Sequence, residues 1–177
     1  MSADLTPAGR LTPAQIRVIA GYARGLQAAQ IATDLGISPR AIRGHVGRAA
    51  RRTGTTGRPY AALIDHAYRH RDFDDFPDLA VKAATPPELR LERCLRRTLE
   101  CLARGMSTNA TAQALGVSKA TAREYRHRLY RRLGTTHPPH AVALAWQNRL
   151  LGPPPPAPGP IVDIPRAEPA QTLGVKP

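Results

Sequence analysis

The residues best suited to chemistry are arginines that recur on one face of a long segment. In residues 38–53, SPRAIRGHVGRAARRT, apolar residues recur at helical spacing and leave the arginines on the opposite side. Arginine is a planar donor that forms paired hydrogen bonds with phosphate and with guanine. No acidic residue occurs among the six arginines between Leu35 and Ile64, and Glu124 is the only acid between Cys101 and Val162. The pattern predicts contact with a polyanion, against the alternative of a solvated basic face.

These arginines belong to an internal repeat. RRTGTTGRP at residues 51–59 returns as RRLGTTHPP at residues 131–139, and at this offset 16 of the 41 positions in Ala23–Leu63 are identical to those in Ala103–Ala143. Such a repeat means that one structural unit occurs twice. The length of 177 residues then favours two small domains over one of medium size.

The whole-chain composition agrees with a polyanionic partner. The formal net charge is +13, the pI is about 11.1, and the 23 arginines far outnumber the 3 lysines. A GC-rich genome is an alternative source of the arginine bias. Aromatic residues make up 5%, which argues against single-strand binding by base stacking. No apolar run approaches the roughly 18 residues of a membrane span, and the first residues lack a signal-peptide core, so we expect a cytoplasmic, nucleoid-associated protein.

Each copy of the repeat has the sequence pattern of four helices. Thr12 and Pro13 have the types of an N-cap and a first helical residue, Ser38 and Ser118 cap later helices, and glycines end them. The predicted helices are LTPAQIRVIAGYARG, QAAQIATDL, PRAIRGHVGRAARRT and PYAALIDHAYRH, and then LRLERCLRRTLECLARG, STNATAQAL, KATAREYRHRLYRRL and PHAVALAWQNRLL.

The sequence therefore predicts an all-α chain of two four-helix units in tandem. The first unit is placed at residues 8–70 and the second at residues 88–151. Between them, residues 71–87 contain four aspartates and read as an acidic, proline-containing linker. Residues 152–177 are rich in proline and have no periodic apolar face, so a disordered C-terminal tail is predicted there.

The order of these elements, with the LGIS turn, the RR-x-G-T-T sequence and the closing helix, resembles the LuxR-type, or GerE-like, helix-turn-helix domain of bacterial transcription regulators. The first copy follows the pattern from LTPAQ to YAALI, and the second follows it best from Gly105 onward. In such a motif a short helix and a tight turn hold the next helix so that it enters the major groove of DNA.

The resemblance implies which residues read bases. In the third helix of the first unit they are Arg43, Gly44 and Gly47. In the second unit they are Arg123, Glu124 and His127, a set with donors and acceptors, so we expect the second unit to specify sequence. Glu124 would read a cytosine amino group or orient a neighbouring arginine, or it is a tolerated accident. Phosphate contacts are expected from Arg40, Arg48, Arg51, Arg52, Lys119, Thr121, Arg128, Arg131 and Arg132.

Two polar residues depart from the family pattern. Thr111 and Arg126 occupy positions that are usually apolar, and we expect Arg126 to extend its head to solvent or to a phosphate, because a buried unpaired guanidinium is costly. Ala49, Ala50 and Thr53 are smaller than the family's usual residues, which predicts a thin core. We therefore expect the stability of each unit to depend on contacts with the other unit or with a partner.

Other candidate sites are weaker. His66 and His70 have the spacing of metal ligands on a helix, but surface histidines are the more common interpretation. Cys94 and Cys101 lie seven residues apart in one predicted helix, too far for a disulfide, and are more often core residues than metal or redox groups. The sequence has no phosphate-binding loop or nucleophile elbow, so a non-enzymatic protein without cofactor or metal is expected.

The function predicted from these observations is sequence-specific binding of double-stranded DNA in transcription regulation. One alternative is an adaptor resembling sigma-factor region four, whose helix-turn-helix contacts RNA polymerase or another protein. A second alternative is an architectural DNA binder without sequence preference. The fourth helix of each unit is apolar enough to pack on a partner, which predicts either an intramolecular pseudo-dimer or a homodimer, and no membrane partner is expected.

Overall fold

The computed structural model describes residues 9–76, 79 and 89–152, and this part of the chain folds into eight helices without strands. The predicted tail from residue 153 and most of the predicted linker lie outside the described residues. The predicted all-α class and the repeat of four helices are confirmed. The helices are α1 (Pro13–Ala23), α2 (Ala28–Leu35), α3 (Pro39–Thr53), α4 (Pro59–Arg69), α5 (Arg93–Ala103), α6 (Thr108–Leu115), α7 (Lys119–Leu133) and α8 (Pro138–Gln147).

Helix ends follow the capping residues that the sequence contains. The Thr12 hydroxyl accepts the backbone N–H of Gln15, and the Gln15 side chain accepts the Thr12 N–H in return, which starts α1 with a capping box. Ser38 and Ser118 accept from residues three positions later and start α3 and α7. The predicted starts of these three helices are confirmed.

Two predicted ends are wrong. The first helix of the second unit begins at Arg93 and not at Leu89, because Leu91 is buried just before the helix, as Leu11 is in the first unit. The last helix stops at Gln147 and does not reach Leu151. Arg149 adopts a positive φ of 55°, and the Leu150 N–H then donates to Ala145 O at 2.8 Å, which turns the chain back onto the helix.

The expectation for Arg126 is also wrong. Arg126 is only 7% exposed, so its guanidinium does not extend to the outer surface of the protein, where a DNA phosphate would lie. Instead the guanidinium donates through Nη2 to the backbone O of Met106 and to the hydroxyl of Thr111 at 3.0 Å. The two polar residues that depart from the family pattern are therefore hydrogen-bonded to each other inside the second unit, where Thr111 in turn donates to Ser107 O at 2.8 Å.

The two units pack against each other through their fourth helices, α4 and α8. The contact is reciprocal: α1 of the first unit touches α8, and α5, its counterpart in the second unit, touches α4. Reciprocity of this kind is the arrangement of a twofold-symmetric dimer, built here from one chain. Buried apolar residues of both fourth helices share the core; they are Leu63, Ile64, Ala67, Val142, Leu144 and Ala145.

Polar contacts give this packing one defined register. The indole N–H of Trp146 in α8 donates to Asp65 of α4 at 2.9 Å, and Asp65 also pairs with Arg69 at 2.7 Å. The Trp146 ring stacks on Tyr68, with 5.8 Å between ring centroids. Because Asp65 is almost fully buried, both hydrogen bonds are needed to satisfy its carboxylate.

A hydrogen bond between backbone atoms also joins the two units. The N–H of Arg58, just before α4, donates to the carbonyl of Gly105, just after α5, at 3.1 Å. A Cβ added at Gly105 would lie 2.8 Å from Arg58 O and 3.3 Å from the Ala62 side chain. Gly105 has a φ of +72° as well, so glycine is required here by conformation and by space.

The beginning of the predicted linker lies against the first unit. Asp72 is fully buried, and one of its carboxylate oxygens accepts from Arg10 Nε at 3.3 Å. Phe73 packs edge-on against Tyr68, with 5.0 Å between ring centroids. Residues before α1 and residues after α4 therefore both pack onto the four helices of the first unit.

Candidate nucleic-acid interface

Each unit contains a short helix, a tight turn and a long basic helix. In the first unit α2 ends at Gly36, whose φ of 64° lets the chain reverse, and Ser38 starts α3 two residues later. The second unit repeats the turn with Gly116 at a φ of 66° and Ser118 as the cap of α7. The short helix contacts the long one in both units. This is the helix-turn-helix arrangement, in which the long helix is available to a DNA groove.

The outward face of α3 is basic, but two of its positions are glycines and carry no side chain. Arg43 is exposed, whereas Ile42, Val46 and Ala49 on the opposite face are buried in the core. Gly44 and Gly47 lie between the exposed arginines of the helix. Their added Cβ atoms would meet only arginine termini, Arg48 Nη1 at 3.3 Å and Arg51 Nη1 at 3.8 Å. Each glycine costs the helix about 1 kcal/mol relative to alanine, and packing within the protein does not account for it.

The outward face of α7 is richer in hydrogen-bonding groups. Arg123, Glu124 and His127 are all exposed, while Ala122, Arg126 and Leu129 face the interior. Glu124 has no ion pair among the described residues, so nothing in this part of the chain supports the alternative that it orients a neighbouring arginine. The structure thus brings three predicted base-reading groups together on the accessible side of α7.

The residues predicted to contact phosphates differ in their availability. Six arginines and one lysine are exposed without a carboxylate partner among the described residues: Arg40, Arg48, Arg51, Arg52, Lys119, Arg131 and Arg132. Arg128 is instead held by Glu92, which accepts from its Nη2 at 3.0 and 3.1 Å. The hydroxyl of Thr121 lies 2.9 Å from that of Ser118 and its N–H donates to the same cap, so Thr121 is part of the helix start.

One histidine on α3 lies at the edge of this surface. His45 is half-buried, and its pKa is lowered from the ordinary value, first by burial and second by the charge of Arg48. A lowered pKa keeps the imidazole neutral near pH 7. The positive charge of the α3 surface at that pH therefore comes from its arginines and not from His45.

We expect the arginines at the ends of α3 and α7 to contribute affinity without sequence information, since phosphate contacts position a protein but do not read bases. Changing Arg52→Ala or Arg132→Ala should weaken binding to all duplexes by a similar factor and reduce the slope of log K against log salt by about one unit. Fluorescence anisotropy at several salt concentrations measures both quantities.

The control for that measurement is Arg17→Ala, an exposed arginine of α1 outside the long basic helices, which should leave the slope unchanged. A loss confined to one duplex sequence would contradict the assignment of Arg52 and Arg132 to phosphates.

Sequence reasoning missed the role of two residues near this surface. Arg58 is exposed just before α4 and its N–H bridges to the second unit, and Arg126 is buried behind α7. A signal for the second was present, because Thr111 and Arg126 are both polar where their counterparts in the first unit, Ile31 and Val46, are apolar. Two such departures within one unit indicate a compensating pair.

Other chemistry finds little support in the described part of the chain. The rings of His66 and His70 are tilted against each other with 4.1 Å between their centroids, and His66 Nε2 lies 2.9 Å from Gly9 O. No cluster of three or more metal-ligating side chains occurs among the residues that the structure describes. Cys94 and Cys101 are free thiols. None of the helices in residues 9–76 and 89–152 is long and apolar enough to cross a bilayer.

The fold and this surface define a protein with two helix-turn-helix units of the DNA-binding kind, each with a solvent-exposed basic helix. Comparison with known families agrees: a model described as bacterial regulatory proteins, luxR family, matches residues 10–64 and 96–145. The chain belongs to this family of DNA-binding transcription regulators, and each of its two units matches the family model. Searches of curated proteins and of solved structures found no match.

Proposed function

We propose that the chain regulates transcription as a sequence-specific binder of double-stranded DNA, in which both helix-turn-helix units engage one site as an intramolecular pseudo-dimer. The observation that carries the proposal is the reciprocal packing of α4 on α8, which leaves the basic faces of α3 and α7 exposed. A covalent link raises the effective concentration of the second unit to about the millimolar range, which favours simultaneous binding.

The packing of α4 on α8 also bears on the oligomeric state. The apolar faces of the two fourth helices are already buried against each other within one chain. A homodimer through either fourth helix would have to break the Trp146–Asp65 hydrogen bond and expose these faces. One chain therefore supplies both recognition helices for one site.

The two units have different parts in recognition under this proposal. Arg123, Glu124 and His127 give α7 both donors and an acceptor for base edges, so the second unit specifies sequence. The glycines of α3 let its backbone come close to the DNA, while Arg43, Arg48 and Arg51 hold the phosphates and nearby bases. Because the two helices differ, the site consists of two unlike half-sites.

The test is selection of bound duplexes from a random pool, followed by measurement of the stoichiometry on the selected site by light scattering. We expect one chain per site and an asymmetric sequence, with half-site centres about 34 Å apart or a multiple of that spacing. Two chains on a palindrome would contradict the pseudo-dimer. Selection that yields no preferred sequence would favour an architectural binder, and failure to bind duplex DNA at low salt would favour a protein-contacting adaptor.

A further inference from the structure

A cavity of about 600 Å³ lies between the two units. Equivalent positions of the repeat line it from both sides, including Tyr22 with Leu102, and Leu26 with Met106. The cavity therefore lies on the axis that relates the units. Small-molecule sites in proteins have volumes of about 300–1,000 Å³ and walls that are mostly apolar. The size and the lining of this cavity both fit such a site.

The cavity also has an uncompensated positive charge. Arg58 and Arg126 both line it, and among the described residues no aspartate or glutamate lines it. The hydrogen bonds of Arg126 to Met106 and Thr111 both use Nη2, and its Nε has no hydrogen-bond partner among the residues that the structure describes. Burial lowers the pKa of Arg126; Tyr130 partly offsets this effect, and the charge of nearby Arg58 lowers the pKa again. Two guanidinium groups at one apolar cavity attract an anion.

The fold itself does not require this buried arginine. The equivalent position in the first unit is Val46, which is 3% exposed and packs in the core of an otherwise similar helix. A buried cation without a carboxylate partner costs stability. The second unit therefore carries a costly group where an aliphatic side chain forms the same helix packing, and that group lines a cavity.

We propose that the cavity between the units binds a small amphipathic anion. Its apolar or aromatic body lies among Tyr22, Tyr60, Leu102 and Met106. Its carboxylate or sulfonate group accepts hydrogen bonds from the guanidinium of Arg58 and pairs with the charge of Arg126.

The position of the cavity links it to DNA recognition. Arg126 belongs to α7, and the loop of Gly57 and Arg58 connects α3 to α4, so an occupant touches segments attached to both recognition helices. A regulatory effect of the ligand rests on the proposed function. Binding of the ligand does not, because it is measured without DNA.

The test uses 8-anilinonaphthalene-1-sulfonate, an aromatic sulfonate whose fluorescence rises in apolar surroundings, with the full chain in solution. We expect saturable binding of one dye per chain. Arg58→Gln keeps the backbone hydrogen bond to Gly105 and should weaken dye binding about tenfold, since it removes one charge-assisted contact. The uncharged analogue N-phenyl-1-naphthylamine should bind the wild type and Arg58→Gln with the same affinity within about twofold.

Two further variants complete the test. Arg17→Gln removes an equal charge outside the cavity and should leave the affinity unchanged, whereas Ala28→Phe fills the cavity and should abolish dye binding without lowering the melting temperature. The proposal is overturned if the wild type does not bind the dye, if several dyes bind per chain, or if Arg58→Gln and Arg17→Gln behave alike. It is also overturned if Ala28→Phe is folded and binds the dye as the wild type does.

Discussion

Gly105→Ala is expected to lower the free energy of unfolding by about 3 kcal/mol, as the sum of two effects. The first is the left-handed backbone at a φ of +72°, which costs an alanine about 1 kcal/mol. The second is a Cβ only 2.8 Å from the carbonyl oxygen of Arg58 in the other unit, which the backbone must move to relieve. Urea unfolding followed by circular dichroism measures the change.

Gly116→Ala is the matched control, because Gly116 ends α6 with a φ of +66° and has nothing within 4 Å of an added Cβ. It should cost only about 1 kcal/mol, so the difference between the variants reports the contact between units. The single tryptophan, Trp146 of α8, stacks on Tyr68 of α4 in the contact between the units. The fluorescence emission of the folded protein should therefore shift to the red in Gly105→Ala and not in Gly116→Ala. Equal destabilisation by both variants would show that the close approach of Gly105 to the first unit does not form in solution.

Arg123→Ala is expected to relax the preferred DNA sequence, because a bidentate arginine contact with guanine contributes about 1–3 kcal/mol of discrimination. This corresponds to roughly a 5- to 150-fold smaller preference for the selected base pair over the others. Arg123 is exposed on α7 beside Glu124 and His127, and its removal leaves the helix packing intact. Repeating the selection from a random pool with the variant measures the loss.

The matched variant is Arg43→Ala, at the equivalent position of the first unit. It should lower affinity for all sequences while the selected motif stays sharp, since Gly44 and Gly47 offer no side chains to base edges. A motif that blurs more with Arg43→Ala than with Arg123→Ala would reverse the parts assigned to the two units.

The helices and their order could be predicted from the sequence, because each helix start and end depends on residues only a few positions apart. Thr12, Ser38 and Ser118 cap their helices through hydrogen bonds spanning three residues, and Gly36 and Gly116 end theirs through their own backbone conformation. The ends that were predicted wrongly, before Arg93 and after Gln147, are those where no proline or glycine marks the boundary. There the burial of Leu91 before α5 and the positive φ of Arg149 after α8 mark the boundaries.

The candidate DNA surface was predictable to the same degree, as helical spacing alone separates Arg43 or Arg123 from the buried side of its helix. The base each residue reads is a property of the complex with DNA, so those roles stay predictions. Helical spacing also placed Arg126 on the inner side of α7, but not its partner Thr111, which lies on another helix.

By itself, then, the sequence determined two copies of a four-helix unit, each with a basic helix behind a tight turn. Only the tertiary structure decided that α4 packs on α8, that Arg126 donates to Met106 and Thr111, and that a cavity remains between the units. The physical reason is range. Caps and periodicity act within one or two helical turns, whereas packing and cavities depend on how surfaces distant in the chain fit together.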